Sequence, residues 1–330
     1  MATDSALTTT AAATAGSAVK NRYYDELFLR VAENQLVHKQ VGQVNRKIGK
    51  GEGGYGANTV YWTRWSNLPL MTAAGAEGVP TTAVGMTAAN VTGTTAQYDA
   101  AVSISDLLAY TSFGDVMKAA MERLAYNAGL SIDTIVANEI RTSGGFIAPI
   151  TTVSAQAAYT ALPSTATIDI TTIKKAVRKL ERQDAKPLSD GFYAATIHPD
   201  VLYDLQTDTT TGGWIDANKY TEGNAGKLMK GEVGKLHQVK FLKTTNPVAV
   251  RGTSLASGSG SVYVTNVFGT DAFGVTELQN LKTYVKGFGT SGTSDPTDKV
   301  STAGWKTTFG VATLNTSFFV NINSQVSSTA

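Results

Sequence analysis

Between Met117 and Ile140 apolar side chains recur in steps of three and four: Met117, Met121, Leu124, Ala128, Ile132, Ile135 and Ala137, with Val136 and Ile140 beside them. That spacing keeps one face apolar and predicts a single helix between Ser112 and Gly145, with its body over 113–142. Ser112 followed three residues later by Asp115 is a variant of the capping box and is expected to start it. Arg141 suits the negative end of the helix dipole, and Gly144-Gly145 stops the helix. Lys118, Glu122, Asn127 and Asp133 are assigned to its other faces. At 1.5 Å per residue such a helix is about 45 Å long and needs a sheet or another long surface to lie across.

Elsewhere the pattern changes period. Arg22 to His38 predicts a short amphipathic helix, with Tyr24, Leu27, Phe28 and Val31 on one face. Thr59-Val60-Tyr61-Trp62-Thr63-Arg64-Trp65 is strand chemistry, 89–98 alternates weakly, and 98–104 reads as another strand. Thr171 to Lys186 predicts a basic amphipathic helix, with Ile173, Ala176, Val177 and Leu180 inside and Lys174, Lys175, Arg178, Lys179 and Arg182 outside. Phe192 to Ile197 is a buried strand, and a helix follows from Pro199. A turn into a strand spans 231–241, a flexible break is expected at 257–261, and strands follow at 262–264 and 273–278. Two long β-runs, 305–314 and 318–322, are expected to form the sheet under the long helix. Residues 1–19, Ala/Thr/Ser-rich with Asp4 as their only charge, are expected to lack order of their own.

Composition narrows the picture. Charged residues make up 16% of the 330, well under the ~25% usual for soluble domains. So few charges argue for a surface buried against copies of the same chain, with a Thr-rich secreted protein as the other reading. The deficit concentrates in 66–98, where Glu77 is the only charge; a segment with neither core material nor charge suits an extended two-stranded loop paired to another subunit, against a long irregular loop. Its expected inter-subunit contacts are Leu68, Leu70, Glu77, Val79, Pro80 and Met86. Between Lys20 and Lys50 basic residues outnumber acidic ones, and Arg22, Arg30, Arg46 and Lys47 are candidates to face DNA or another subunit, against a merely solvated face. Absence of cysteine removes disulfides and thiol chemistry. The start of the chain lacks the pattern of a signal peptide, and no apolar window is long enough for a membrane span.

Candidate chemistry is weak. Gly51-Glu52-Gly53-Gly54-Tyr55-Gly56 fits G-x-G-x-x-G, but a basic stretch precedes it and a strand follows, the reverse of what a dinucleotide site needs. His198, Asp200 and Ser189 would suit a hydrolase, yet no nucleophile elbow is present and His-Pro-Asp at a helix start is capping chemistry. Three scattered histidines suggest no metal site, and Asp204, Asp208 and Asp216 lack calcium-loop spacing. No catalytic, cofactor or metal residue is assigned.

The order of parts resembles the major capsid proteins of tailed bacteriophages, with the N4-like coat proteins nearest. The strings carrying this are Glu77-Gly78-Val79-Pro80, Ile104-Ser105-Asp106-Leu107, Ile197-His198-Pro199-Asp200, Gly231-Glu232-Val233-Gly234-Lys235, Asp271-Ala272-Phe273-Gly274 and Gly304-Trp305-Lys306-Thr307. Gln238 departs from the pattern, which favours Gly there. The resemblance implies an α+β protein of the Hong Kong 97 fold. Its expected parts are an N-terminal arm (1–45), a peripheral P-domain (46–59 and 99–148) with a spine helix over a sheet, and an E-loop hairpin (60–98). A mixed axial A-domain (149–270) and a return to the P-domain (271–330) complete it. It further implies assembly into pentamers and hexamers of an icosahedral shell in the bacterial cytoplasm, around motor-packaged double-stranded DNA touched non-specifically. A portal, decoration proteins and, because the chain starts almost directly with the arm, a separate scaffolding protein are implied as partners, and no membrane. An encapsulin-type compartment is the alternative with the same fold; an enzyme is a distant third. The type member of the fold locks its shell with an isopeptide bond from an E-loop lysine, and here no Lys lies between Arg64 and Lys118.

Overall fold

The computed structural model describes residues 25–32, 36–44, 59–72, 78, 80, 83–143, 145–147, 162, 166–208, 214, 232–246, 250–251, 261–290 and 295–327. Two sheets and one long helix organise them.

The helix is α3, Val116–Ser143. Its buried face is the one the spacing predicts: Met121, Leu124, Ala128, Ile132, Val136, Ala137 and Ile140 are buried, with Met117 and Ile135 half-buried. Its start differs from expectation. Asp115, not Ser112, is the cap, and its Oδ1 accepts the Lys118 N–H at 3.0 Å. Ser112 instead closes the preceding short helix α2, Asp106–Thr111, whose own cap is Ser105. Two helices compete for one turn, and each takes the cap residue next to it. Asp133 also departs from expectation: it is fully buried, for a reason given below.

Under α3 lies a four-stranded sheet. In chain order its strands are β1 (Gln43–Val44), β4 (Ala96–Ser105), β11 (Phe273–Lys286) and β12 (Val300–Thr313), in spatial order β1-β11-β12-β4. β12 pairs on both sides, from Phe273↔Thr313 to Lys286↔Thr302 with β11 and from Val300↔Ser105 to Phe309↔Ala96 with β4. Ala303 and Trp305 point from it into a cluster with Met121, Leu124, Ala128 and, from the short helix α1 (25–32), Phe28 and Ala32. Trp305 Nε1 donates to Asn127 Oδ1 at 3.3 Å and Thr313 Oγ1 to Glu139 Oε1 at 3.2 Å, so polar tips pin the helix along the strand while its apolar stripe packs. Each large apolar side chain buried here contributes about 1.5–3 kcal/mol.

The second sheet holds seven strands, in order β5 (Gly145–Ile147), β13 (Phe319–Gln325), β10 (Ser261–Phe268), β6 (Tyr193–Ile197), β8 (Val239–Lys243) and β7 (Glu232–Leu236), with β9 (Val250–Arg251) beside β10. The final β-run therefore does not join the sheet under the long helix, as its sequence suggested. It pairs along its whole length with β10, from Val262↔Gln325 to Phe268↔Phe319. Alternation splits this sheet cleanly. Ala194, Phe268 and Phe319 face the end of α3, whereas Tyr193, Ala195, Val267 and Val320 face α4 (Ile170–Glu181) and α5 (Pro199–Thr207). The β7–β8 turn places His237 and Gln238 at φ 46° and 67°. The left-handed region favours Gly, which is the physical content of the Gln238 departure.

Three distant segments meet at Asp133. Its Oδ1 accepts the backbone N–H groups of Val37 and His38 at 3.0 and 2.8 Å, and its Oδ2 accepts the Asn246 amide at 2.9 Å and lies 2.8 Å from His38 Nδ1. Three N–H donors and the His38 ring surround one buried carboxyl group, which is what allows a polar side chain in the apolar stripe.

Candidate assembly surface

The hairpin is built from β2 (Thr59–Trp65) and β3 (Ala88–Thr94), paired from Thr59↔Thr94 to Trp65↔Ala88. Ser66 N–H to Thr87 O at 3.0 Å carries the ladder one step further. Alternation along β2 gives two faces. Val60 and Trp62 turn inward, while Tyr61, Thr63 and Trp65 face out. Trp62 is the anchor, seated among Gly93, Gly274 and Ala312; a Cβ on Gly93 would stand 2.5 Å from its ring. At the other side of the base the chain leaving β3 crosses Gly310, where a Cβ would lie 2.4 Å from Thr94 O. Both glycines serve close approach, and together they fix the root of the hairpin on β11 and β12.

Past Trp62 no described residue up to Thr72 is buried. A cleft of 1400 Å³, lined by Tyr61, Arg64, Trp65, Asp184, Lys186 and Phe318 among others, separates the hairpin from the body. Of the expected contact residues, Leu70 is 90% exposed, Met86 60% and Leu68 54%, and Pro80 is exposed as well. Glu77 and Val79 lie outside the described residues. Tyr61, Trp65, Met71 and Val84 join the patch, and sequence reading missed them, although the alternation of 59–65 already separates Tyr61 and Trp65 from Val60 and Trp62. A two-stranded hairpin is marginal alone, and so many large apolar side chains left exposed on one hairpin point to an interaction site. A second exposed group, Leu107, Leu108, Tyr110 and Phe113, sits on α2 and the turn after it; α2 buries none of its residues.

The basic candidates separate less clearly. Arg30 is exposed on α1, on the side away from Leu27 and Phe28. Arg22, Arg46 and Lys47 lie outside the described residues, as do Gly51 to Gly56 and most of the expected break at 257–261. His198 is the cap of α5: its Nδ1 accepts the Asp200 N–H at 3.3 Å, its ring stacks on Tyr263 at 4.2 Å, and the Tyr263 hydroxyl donates to Asp200 at 3.0 Å. Burial lowers the His198 pKa, with Asp200 opposing. A ring whose Nδ1 is occupied as a helix cap is explained without a nucleophile. Among the described residues no three His, Asp or Glu side chains are grouped to hold a metal, and no helix is long and apolar enough to cross a membrane.

No family model and no curated protein matches the sequence. Solved structures do match the fold. The chain resembles the capsid of Ralstonia phage GP4 at 14% identity, with a TM-score of 0.67 over 87% of each chain. It resembles the capsid of cyanophage P-SCSP1u at 17% identity and TM-score 0.60, again over 87% of each, and that of cyanophage Pam1 at 13% and 0.60, over 83% of this chain and 86% of the other. The fold is therefore the α+β Hong Kong 97 type found in phage capsids.

Proposed function

We propose that this chain is the major capsid protein of a tailed bacteriophage, assembling as pentamers and hexamers into an icosahedral shell around packaged double-stranded DNA and residing in the virion. One observation carries the reading beyond the fold: a hairpin rooted by Trp62 presents Leu68, Leu70, Met71 and Met86 to solvent, beyond the cleft that Tyr61 and Trp65 line, and none of the four is buried by the described residues. Burying it against a neighbouring copy supplies the missing partner. In this reading the hairpin is the E-loop, α3 with the four-stranded sheet the P-domain, and 149–270, which supplies five strands of the seven-stranded sheet, the A-domain. Its role is structural, not enzymatic. The resemblance of the short strings quoted above to N4-like coat proteins favours that group, and a scaffolding protein, a portal and decoration proteins are the expected partners.

Expression of the chain with its scaffold, followed by electron microscopy, tests this. Closed shells are expected from the natural chain. A Leu68→Asp/Leu70→Asp/Met86→Asp variant is expected to give folded, soluble subunits and no closed shells. Wild-type protein that forms no particles, or normal shells from the variant, would overturn the proposal.

A further inference from the structure

Helix α4, packed on the seven-stranded sheet, carries a basic face apart from the hairpin. Its inner face is wholly apolar or capped: Ile170, Thr172, Ile173, Ala176, Val177 and Leu180 are buried against the seven-stranded sheet. Its outer flank holds Lys174, Lys175, Arg178, Lys179 and Arg182 within nine residues, from a chain with 28 Lys and Arg in total. At 1.5 Å per residue, Lys174, Arg178 and Arg182 form a row with steps of about 6 Å, and Lys175 and Lys179 form a second row beside it. Lys175, Arg178, Lys179 and Arg182 converge with Gln183 and Ile147 on a shallow groove of 440 Å³. Among the described residues Lys174, Lys175, Arg178 and Arg182 take part in no ion pair. Attraction to the helix dipole accounts for cations in the last turn but not for Lys174 and Lys175 in the middle. Burial lowers the Lys179 pKa, the direction an arriving anion would oppose.

We propose that this face of α4 is a contact surface for the phosphate backbone of duplex DNA. The occupant follows from what the face lacks. Its exposed residues are Thr171, Lys174, Arg178 and Glu181, with no exposed aromatic or aliphatic side chain among them. A protein partner docks through buried aromatic or apolar anchors, which this surface does not offer. A phosphate backbone needs only cations at intervals and is held without reading bases. The helix N-terminus is not the site, because Asp169 accepts the Thr172 N–H there and Asp208 accepts the Ile170 N–H. The inference rests on the shell reading for its biological setting, but its test does not.

The full chain, unassembled, is titrated against a fluorescein-labelled 30-base-pair duplex by fluorescence anisotropy between 50 and 200 mM NaCl. Two duplexes of unrelated sequence are expected to bind equally. A Lys174→Gln/Lys175→Gln/Arg178→Gln/Arg182→Gln variant is expected to bind at least tenfold more weakly and to lose about 3–4 from the slope of log K against log salt, at roughly 0.9 per phosphate contact. All four side chains project from the core, so circular dichroism should be unchanged. A control, Arg64→Gln/Lys118→Gln/Lys243→Gln/Lys299→Gln, removes the same charge from exposed positions elsewhere and is expected to keep wild-type affinity. Unchanged binding by the α4 variant, or equal loss in the control, would overturn the assignment. So would wild-type protein that ignores DNA but binds poly-glutamate through α4, which would mark an acidic protein partner. Shell formation by the α4 variant is read separately by microscopy, so loss of the DNA surface and loss of the shell reading give different results.

Discussion

His38 Nδ1 lies 2.8 Å from Asp133 Oδ2, with both side chains fully buried and 95 residues apart in the chain. The contact ties the segment after α1 to the middle of α3, and Asn246, which follows β8, closes the same knot through Asp133 and Thr134. Asp133→Ala would leave the Val37 and His38 amides and the imidazole without their acceptor in a site closed to water. The expected cost is about 3–5 kcal/mol. His38→Phe keeps both backbone bonds to Asp133 and should cost less. Chemical denaturation of the unassembled subunit checks the order; equal stability of Asp133→Ala and wild type would show that the knot holds nothing.

The apolar stripe of α3 makes a second prediction. Leu124 is 4% exposed, between Met121 and Ala128 in the cluster around Trp305 and Phe28. Leu124→Asp buries a charge with no donor and is expected to cost several kcal/mol, a large part of a marginal domain's stability. Lys118→Ala, on the exposed flank, should change stability by less than about 0.5 kcal/mol. Melting temperatures of the two variants measure both; an unshifted Leu124→Asp would contradict the packing.

Comparison of Leu124 with Asp133 shows what the sequence made legible. Periodicity alone places Leu124 inside, because an apolar residue in an i, i+3, i+4 series has one face to go to. Asp133 sits among the same residues, and its burial depends on donors at Val37, His38 and Asn246 that no local pattern connects to it. The same limit explains β13. Its strand character is local, but its choice of β10 over the four-stranded sheet is a long-range pairing. The hairpin was legible because a charge deficit over thirty residues is itself unusual, while the exposed group at Leu107, Leu108, Tyr110 and Phe113 was not: a short apolar run reads as core until the fold leaves it outside. For α4 the residues were plain in the sequence, and only the structure shows that four of them make no ion pair among the described residues.

His198 gives a pH dependence with a definite sign. Burial sets its folded pKa below the ordinary 6.5, with Asp200 partly opposing. The neutral ring is favoured by folding, so its contribution is complete above pH 6.5 and is lost as pH falls through 6.5 toward the lower folded value. Geometry agrees, since a protonated Nδ1 cannot accept the Asp200 N–H. Asparagine is a good cap that does not titrate. Stability of His198→Asn, measured by denaturation from pH 7.5 to 5, should therefore fall less steeply than that of wild type. Asp190 acts in a separate window: its hydrogen bond to Lys240 lowers its pKa from 3.8, so its contribution disappears only on acidification below that value. Identical slopes for His198→Asn and wild type between pH 7.5 and 5 would remove His198 as the source.

Covalent locking of the proposed shell would need a nucleophile on the hairpin proposed to reach a neighbour. The hairpin from β2 to β3 contains one cation, Arg64, and no Lys occurs between it and Lys118. Arginine stays protonated and does not supply the amine that an isopeptide bond requires. Absence of cysteine closes the disulfide route. What the exposed loop does offer is Leu68, Leu70, Met71 and Met86, side chains suited to burial and not to bond formation. Mature particles are therefore expected to be held by strand pairing and apolar contact, and to dissociate fully when boiled in detergent. Denaturing electrophoresis should give a single band at the 34.7 kDa of one chain. Particles should also loosen in moderate denaturant before the subunit unfolds, because the loop contacts are separate from the α3 core. A ladder of multimers surviving detergent and reductant would contradict non-covalent closure and place a nucleophile outside the hairpin.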